Sequence, residues 1–319
     1  MKTTVRLMVV AILLIGVASI AQAQNPAVTH NTWTSGAAMP TATKFSMTGV
    51  LKNEIYVVGG VTATGIVADT QVYNPAANSW NSTASLPAAT FDGAAAVVKN
   101  ILYVIGGTQD GTTATNAVWA YNPKTKAWSG VAPMPTARFG VNAVVEQDII
   151  YAIGGCDPSG CLSTVESYNP ASNTWTEEAP LPFGNSGSAV GLLGTTIVDA
   201  GGYTGSGGGD TGDTEGYDAS TNSWKSLAAD PTARTLSCYG AAKGALYVAG
   251  GADSNGNPMN TNESFKLTKN KWTTLAPMPQ TVTDAGSAVY KNVLYCFGGG
   301  SYSVQFVGTV YNNVQIYQP

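Results

Sequence analysis

The sequence has 319 residues, a formal net charge of −4 and a single histidine. Only 11% of its residues are charged and 37 are glycine, a composition typical of turn-rich β proteins and not of helical or disordered chains. The acidic balance and the lack of a basic stretch argue against nucleic acid or an anionic membrane surface as a partner.

The first 23 residues have the pattern of a signal peptide. A short positive region with Lys2 and Arg6 precedes an apolar run, and "AQA" (residues 21–23) has the small-x-small pattern of a signal-peptidase site. The apolar run is shorter than the ~20 residues that a membrane span requires. We therefore expect a secreted or periplasmic protein with no membrane insertion after cleavage. Its expected segments are a signal peptide (1–23), a short linker (24–29) and one domain (30–319).

Six apolar runs along the chain each end in a pair of glycines, at intervals of 47 to 49 residues. The runs are rich in β-branched and aromatic residues, which predicts a buried strand in each. A self-similar period of this length is typical of repeat architectures. The six pairs are Gly59-Gly60, Gly106-Gly107, Gly154-Gly155, Gly201-Gly202, Gly250-Gly251 and Gly298-Gly299.

Each repeat continues with an aromatic residue, and in five repeats a tryptophan follows seven residues later. The first copy is "YNPAANSW", from Tyr73 to Trp80, and its Asn-Pro start is turn chemistry that joins two strands. A proline motif such as "PMP" and one more strand then lead to the next glycine pair. Each unit is therefore predicted to hold four strands and no helix.

These repeats resemble the kelch repeats of β-propellers, an architecture similar to the central domain of galactose oxidase and to N-acetylneuraminate epimerase. The resemblance covers nearly the whole chain after the signal peptide. It implies an all-β, six-bladed kelch propeller with four antiparallel strands per blade. A single four-stranded sheet cannot bury both faces, so the blades are expected to pack face to face around an axis.

The sixth repeat is incomplete. After Gly298-Gly299 the chain reaches Tyr317 with no tryptophan seven residues later, whereas Trp33 lies near the start, ahead of the first complete repeat. We therefore predict that the N-terminal strand around Trp33 completes the last blade and closes the ring. Closure would remove two bare sheet edges, which are an aggregation risk.

The single histidine, His30, limits the kinds of site that the chain can build. A Ser-His-Asp or Cys-His arrangement would need it, yet it lies beside the closing strand. A zinc or copper site with several imidazoles cannot form within one chain, so the copper chemistry of galactose oxidase is not implied. The acids Asp210, Asp213 and Glu215 suggest calcium, but their glycine-rich spacing matches no EF-hand-like loop, which favours a long rim loop. No metal and no other cofactor is expected.

The four cysteines fall into two groups. Cys156 and Cys161 flank Asp-Pro-Ser-Gly in a predicted loop, which in an exported protein favours a local disulfide over a redox motif. Cys296 stands where other repeats have valine, which favours a buried thiol. A bridge between Cys296 and Cys238 of the neighbouring blade is the alternative.

Positions that vary between the repeats supply candidate binding residues. In kelch domains that capture acidic peptides, an arginine three residues after the "PMP" proline reaches the mouth of the channel, and Arg138 and Arg234 occupy this position here. The resemblance implies two guanidinium groups suited to a carboxylate. Alternatively, each arginine packs against a neighbouring blade and forms a local salt bridge, for example to Asp92 or Asp284. The full set of candidate ligand-binding residues is Arg138, Arg234, Asp92, Asp284, Asn185, Tyr203 and Tyr302.

Asp199 departs from the pattern of its strand. It lies in "TIVDAGG" at an inner-strand position that is valine, alanine or cysteine in the other repeats. A buried carboxylate needs hydrogen bonds or a cation, or it keeps its proton. The favoured interpretation is an acid bound to neighbouring backbone or hydroxyl groups, and the alternative is a functional acid that faces the channel.

Two functions are compatible with these features. The first is an exported, non-enzymatic binding module that holds a carbohydrate, an acidic peptide or a protein partner at the rim or mouth of its channel. The alternative is a periplasmic sugar-modifying enzyme resembling N-acetylneuraminate epimerase. It would need an acid or base and an arginine inside the channel, for which Arg138, Arg234 and Asp199 are the candidates. We assign no catalytic residue and favour the binding module.

Overall fold

The computed structural model describes residues 30–205, 208–301 and 308–319. The predicted signal peptide, the linker and Tyr302 lie outside the described residues. Within these ranges the one helical element is a 3-10 turn over Leu267–Lys269, and no helix is long and apolar enough to cross a membrane. The strands, in chain order, are β1 (Thr32–Gly36), β2 (Met47–Leu51), β3 (Glu54–Val58), β4 (Val61–Thr62), β5 (Gly65–Ile66), β6 (Thr70–Asn74), β7 (Ser79–Thr83), β8 (Ala94–Val98), β9 (Ile101–Ile105), β10 (Val118–Asn122), β11 (Ala127–Gly130), β12 (Asn142–Glu146), β13 (Ile149–Ile153), β14 (Cys156–Asp157), β15 (Gly160–Cys161), β16 (Val165–Asn169), β17 (Thr174–Glu178), β18 (Ala189–Leu193), β19 (Thr196–Ala200), β20 (Thr214–Asp218), β21 (Ser223–Ser226), β22 (Cys238–Ala242), β23 (Ala245–Ala249), β24 (Asn262–Lys266), β25 (Lys271–Thr274), β26 (Gly286–Tyr290), β27 (Val293–Phe297) and β28 (Val314–Gln318).

The strands form six antiparallel sheets of four strands, which confirms the predicted six-bladed propeller. Two short hairpins, β4–β5 and β14–β15, lie in the loops that follow a glycine pair. The sheets, each given from its innermost to its outermost strand, are blade 1 (β2, β3, β6, β7), blade 2 (β8, β9, β10, β11), blade 3 (β12, β13, β16, β17), blade 4 (β18, β19, β20, β21), blade 5 (β22, β23, β24, β25) and blade 6 (β26, β27, β28, β1).

The hydrophobic core lies between the blades. Six clusters of buried side chains each combine residues of two neighbouring blades, and together they occupy all six seams. The second strand of each blade is buried almost throughout, as in β3, β9 and β13, because a neighbouring blade covers each of its faces. The outermost strands are mostly exposed and bury chiefly their tryptophan.

One tryptophan in each blade fixes the seam to the preceding blade. In blade 3, the indole Nε1–H of Trp175 donates to the carbonyl of Ala132 in blade 2 at 2.9 Å. The ring also packs on Tyr168 of its own blade, with centroids 5.0 Å apart. The same donor–carbonyl pair recurs at Trp33, Trp80, Trp128, Trp224 and Trp272.

The N-terminal strand completes the last blade, as the sequence predicts. β1 pairs antiparallel with β28 and places Trp33 opposite Tyr317, with ring centroids 5.0 Å apart. The Tyr317 hydroxyl donates to Asn31 Oδ1 at 2.8 Å, as the Tyr73 hydroxyl does to Asn78 in blade 1. The segment around Trp33 is therefore the missing turn and outer strand of the sixth repeat.

Both cysteine pairs form disulfides. Cys156 and Cys161 are bridged across the β14–β15 hairpin, which confirms the predicted local disulfide. Cys238 and Cys296 are also bridged, with Cα atoms 5.7 Å apart, so the favoured interpretation of Cys296 as a buried thiol was wrong and the alternative bridge is present. This second bridge joins the innermost strand of blade 5 to the second strand of blade 6. Two disulfides are typical of a protein that folds in an oxidising compartment.

Removal of β1 should open the ring. A chain that begins at Ala37 lacks the whole strand and leaves the edge of β28 bare, so we expect the melting temperature to fall by roughly 10 °C or more and the protein to self-associate. A chain that begins at His30 is the matched control, because it keeps β1. Thermal denaturation and size-exclusion chromatography compare the two, and equal melting with a monomeric shorter chain would contradict ring closure by β1.

The two disulfides should stabilise the fold to different extents. The Cys238–Cys296 bridge closes a loop of 58 residues and the Cys156–Cys161 bridge a loop of five. By the chain-entropy relation, paired alanine substitutions should lower the free energy of unfolding by about 4 kcal/mol for the long loop and about 2 kcal/mol for the short loop. Denaturant unfolding of the two double variants measures this order, and a larger loss from the short loop would contradict it.

Candidate functional site

A closed ring of backbone hydrogen bonds surrounds the channel axis. One residue just before the innermost strand of each blade adopts a left-handed conformation with φ between 56° and 61°. The amide of each of these residues donates to the carbonyl of the equivalent residue in the preceding blade at 2.7 to 3.1 Å, and the bond from blade 1 to blade 6 completes the circle. We call these six residues the inner ring: Phe45, Asp92, Gly140, Gly187, Leu236 and Asp284.

Two cavities meet at the inner ring. A cavity of about 410 Å³, here called the mouth pocket, lies at the end of the channel where the loops after the glycine pairs gather. A cavity of about 570 Å³, here called the chamber, is bounded by the innermost strands. Phe45, Asp92 and Leu236 line both cavities and therefore mark the boundary between them.

The mouth pocket combines aromatic and acidic side chains. Tyr203 is 39% exposed at its rim. Asp210 and Asp253 lie on two neighbouring rim loops, and burial together with the charge of Asp253 raises the pKa of Asp210 to about 6. The predicted binding residue Tyr203 thus lines a cavity. The phenylalanines of this pocket are Phe45, Phe91 and Phe139.

Asp92 and Asp284, two of the predicted binding residues, belong to the inner ring and line the chamber. Burial raises the pKa of Asp92 to about 7. Burial also raises the pKa of Asp284 well above its usual range, although the charge of Lys44 opposes this shift. Lys44 itself is fully buried, and its Nζ lies 5.5 Å from the centroid of the Phe45 ring.

The structure does not bring Arg138 to the channel. Its side chain is fully buried, and its guanidinium donates to Glu166 at 2.7 Å and to the carbonyls of Gly154 and Thr164. All of these partners belong to its own blade. The predicted carboxylate-binding role therefore finds no support in its placement.

Arg234 follows the same pattern in blade 5. Its guanidinium pairs with Asp230 at 2.9 Å and Glu263 at 2.6 Å, and it lines neither cavity. The alternative of local salt bridges holds for both arginines, but their partners are not the Asp92 and Asp284 that the sequence suggested. A carboxylate on the third strand of the same blade attracts each guanidinium away from the axis.

Asp199 is tied into a hydrogen-bond network at the chamber wall. Its carboxylate is 2% exposed and accepts hydrogen bonds from Asn185 Nδ2 at 3.0 Å and from the Ser188 hydroxyl at 2.8 Å. Ser188 in turn accepts from Asn142 Nδ2, whose Oδ1 accepts from the Tyr239 hydroxyl. This arrangement agrees with the favoured structural interpretation of Asp199. It also places Asn185, a predicted binding residue, behind the chamber wall.

Three residues of this region were not recognised from the sequence. Lys44 occupies a position that is phenylalanine, serine or threonine in the other repeats. Asn142 starts an inner strand that begins with a small or apolar residue elsewhere, and Tyr239 is the one aromatic side chain at the second position of an inner strand. All three differ in residue type from the equivalent positions of the other repeats, and this difference is the signal in the sequence that marks them.

His30 and the rim acids do not form a metal centre. His30 is exposed at the blade 6 seam, with Nδ1 2.7 Å from Pro319 O. In the glycine-rich loop, Asp213 accepts from Thr211, while Glu215 accepts from Ser226. Among the described residues no group of three or more His, Cys, Asp or Glu side chains is arranged to hold a metal ion.

Comparisons with known proteins agree with this architecture. The family model of the Attractin/LZTR1 β-propeller matches residues 55–255, and that of the kelch motif matches residues 233–279, which confirms the predicted repeat type. A solved structure titled "Structure of YjhT" is similar with a TM-score of 0.74 over 88% of this chain and 96% of that chain. Its sequence identity is 19%, so the similarity concerns the fold. No curated protein matches the sequence.

The buried Asp199 should make stability depend on pH. Burial raises its pKa to about 7, although the hydrogen bonds from Ser188 and Asn185 oppose the shift. The folded protein therefore holds this proton more tightly than the unfolded chain, and the stability gained at acidic pH is lost as the pH rises from about 4 to 7. The loss is up to roughly 4 kcal/mol at about 1.4 kcal/mol per pH unit.

We expect the Asp199→Asn variant to lose less stability than the native protein between pH 5 and pH 8. Asparagine has nearly the same shape and no charge to desolvate. Asp148→Asn is the control, because Asp148 is an exposed acid that forms a surface salt bridge with Lys99. Its replacement should leave the pH dependence of stability unchanged. Denaturant unfolding at both pH values measures the difference, and an equal fall in all three proteins would refute the assignment.

Proposed function

Because this chain belongs to the Attractin/LZTR1 β-propeller family, we propose that it is an exported, non-enzymatic binding module whose ligand occupies the mouth pocket. One observation carries the proposal: a cavity of about 410 Å³ opens among the rim loops and is lined by aromatic rings and by three carboxylates, one of which, Asp210, has an oxygen without a hydrogen-bond partner. This volume lies within the range of small-molecule sites. Loops placed on a rigid scaffold are the usual location of binding residues.

The charges of the mouth pocket favour a neutral or positively charged ligand. Its described lining includes Asp92, Asp210 and Asp253 but no lysine, arginine or histidine. An acidic peptide would meet like charges there, which costs free energy. A carbohydrate, a cationic compound or a protein that presents such a group fits the pocket better.

The enzymatic alternative gains no support from the geometry. A sugar-acid enzyme similar to N-acetylneuraminate epimerase would need an arginine and an acid that converge on one cavity. Arg138 and Arg234 are instead paired inside their blades, and Asp199 lies behind Ser188 and Asn142. The binding proposal needs no such convergence.

Export is part of the proposal. The signal-peptide pattern of residues 1–23 supports it, and the two disulfides agree with an oxidising compartment such as the periplasm or the extracellular space.

A panel of small molecules tests the binding function. Neutral mono- and disaccharides, organic amines, and sugar acids with dicarboxylates are each screened by saturation-transfer NMR against the native protein, Tyr203→Ala and Glu177→Ala. Tyr203 lines the pocket with its side chain, whereas Glu177 is exposed on an outermost strand. We expect neutral or cationic compounds to bind, Tyr203→Ala to weaken this binding and Glu177→Ala to retain it.

The same spectra monitor turnover. An unchanged ligand after long incubation is the expected result. Binding by none of the compounds, binding by acids alone, equal binding in Tyr203→Ala, or conversion of a ligand would each overturn the proposed function.

A further inference from the structure

The mouth pocket and the chamber are lined by carboxylates and by no basic side chain among the described residues. Asp253 accepts hydrogen bonds from its own loop, at the amides of Asn255 and Asn257. By contrast, Asp92 accepts none from any described side chain or amide, and Oδ2 of Asp210 is shielded from solvent without a partner. A shielded carboxylate that lacks a donor is costly until a cation or donor reaches it.

Asp284 provides an independent observation at the same level of the channel. Its side chain is 4% exposed and lines the chamber, yet its Oδ2 has no hydrogen-bond partner. Its other oxygen accepts one bond, from Thr283 at 3.2 Å. Asp284 and Asp92 are the two neighbours of Phe45 along the inner ring. Two carboxylates with unmet acceptor capacity therefore converge on one part of the channel.

Aromatic rings accompany these carboxylates. The rings of Phe45 and Phe91 meet at a centroid distance of 5.8 Å and an interplanar angle of 59°, and Phe139 lines the same pocket. The negative face of an aromatic ring attracts a cation, and several such faces together recognise methylated ammonium groups. The combination of rings and carboxylates is thus suited to an organic cation rather than to a hydrated metal ion.

Lys44 shows that this part of the protein already accommodates an ammonium group. Its Nζ lies 5.5 Å from the Phe45 ring centroid inside the fold. Burial lowers the pKa of Lys44, and the charge of Asp284 opposes this shift. Lys44 therefore compensates the Asp284 carboxylate in part, which leaves Asp92 as the ring carboxylate that has no cationic partner among the described residues.

We propose that the ligand of the mouth pocket carries an organic ammonium group, which the Asp92 carboxylate holds at the inner ring against the rings of Phe45, Phe91 and Phe139. This inference rests on the proposed binding function and names the chemical class of its ligand.

The two cavities leave room for such a group beside Asp92. Asp92 lines both cavities, so an ammonium at its carboxylate lies on the boundary between mouth pocket and chamber. Asp92 Oδ2 also lies 3.7 Å from the point where a Cβ of Gly140, the next ring position, would stand, and the Ser186 hydroxyl occupies that point. The remainder of the ligand then occupies the mouth pocket beside Tyr203.

Binding should depend on pH. Burial raises the pKa of Asp92 to about 7, so a proton competes with the ammonium group near neutral pH. Affinity should therefore rise as the pH increases from 5.5 to 8 and Asp92 loses its proton. The other charged or titratable groups around this position are Lys44 and Asp284 beside the ring, Asp210, Asp253 and Tyr203 in the mouth pocket, and Tyr239 in the chamber.

The experiment compares choline with 3,3-dimethyl-1-butanol, a neutral molecule of nearly the same shape, and includes methylammonium as a primary amine. Affinities are measured by isothermal titration calorimetry at pH 5.5 and 8. Asp92→Asn is the key variant, because asparagine tolerates the left-handed conformation that this position requires. Asp148→Asn, an exposed acid outside both cavities, is its matched control.

We expect choline to bind at pH 8 at least about tenfold more tightly than the neutral alcohol, as a charge-dependent site requires. Asp92→Asn should lower choline affinity by at least about tenfold and reduce its pH dependence, of which the titration of Asp210 remains, while Asp148→Asn should change neither. Circular dichroism and thermal melting establish that the Asp92→Asn variant is folded.

Three results would overturn the ammonium proposal: equal binding of choline and the neutral alcohol, native affinity in folded Asp92→Asn, or no binding of either choline or methylammonium. If neutral sugars still bind and lose affinity in Tyr203→Ala, the proposed binding function survives that failure. If no compound of any class binds at the mouth pocket, the binding function itself is wrong.

Discussion

Circular closure is the constraint on which the rest of this structure depends. Every blade buries both faces against its neighbours, so a gap anywhere in the circle would expose two apolar faces at once. The chain closes the circle at two radii. At the outside, β1 pairs with β28 and brings Trp33 to Tyr317. At the inside, Phe45 donates its amide to Asp284 and completes a continuous circle of six backbone hydrogen bonds.

The inner closure also shapes the candidate site. Its hydrogen-bond geometry demands a left-handed residue from every blade, which glycine meets most readily. Two of the six positions are glycine, and the residues at the other four line the chamber: Phe45, Asp92, Leu236 and Asp284. The side chains at the narrowest level of the channel are therefore free to vary while the backbone circle stays fixed. Such a position can carry specificity at the cost of a left-handed backbone, roughly 1–2 kcal/mol for a residue other than glycine.

Much of the fold could be predicted because one local chemistry occurs six times. The glycine pair, the tryptophan and the asparagine turn recur with a fixed spacing, and this repetition made even the displaced strand around Trp33 recognisable. The site was less predictable, because alignment gives a side chain's position but not its direction. Arg138 turns into its blade toward Glu166, and both repeats that carry this arginine also carry a glutamate on the third strand. Contacts such as Tyr239 with Asn142 join blades 97 residues apart and depend on the closed circle itself.

The central claim is that this circle creates a cation site at Asp92 on the floor of the mouth pocket. A crystal structure with tetramethylarsonium tests it most directly, since arsenic replaces the nitrogen of tetramethylammonium and is located by its anomalous scattering. The claim predicts an arsenic peak at the inner ring, within about 6 Å of the Phe45 ring and beside the Asp92 carboxylate. A peak confined to another surface, or an inner ring that is empty beside a well-ordered Asp92, would contradict it.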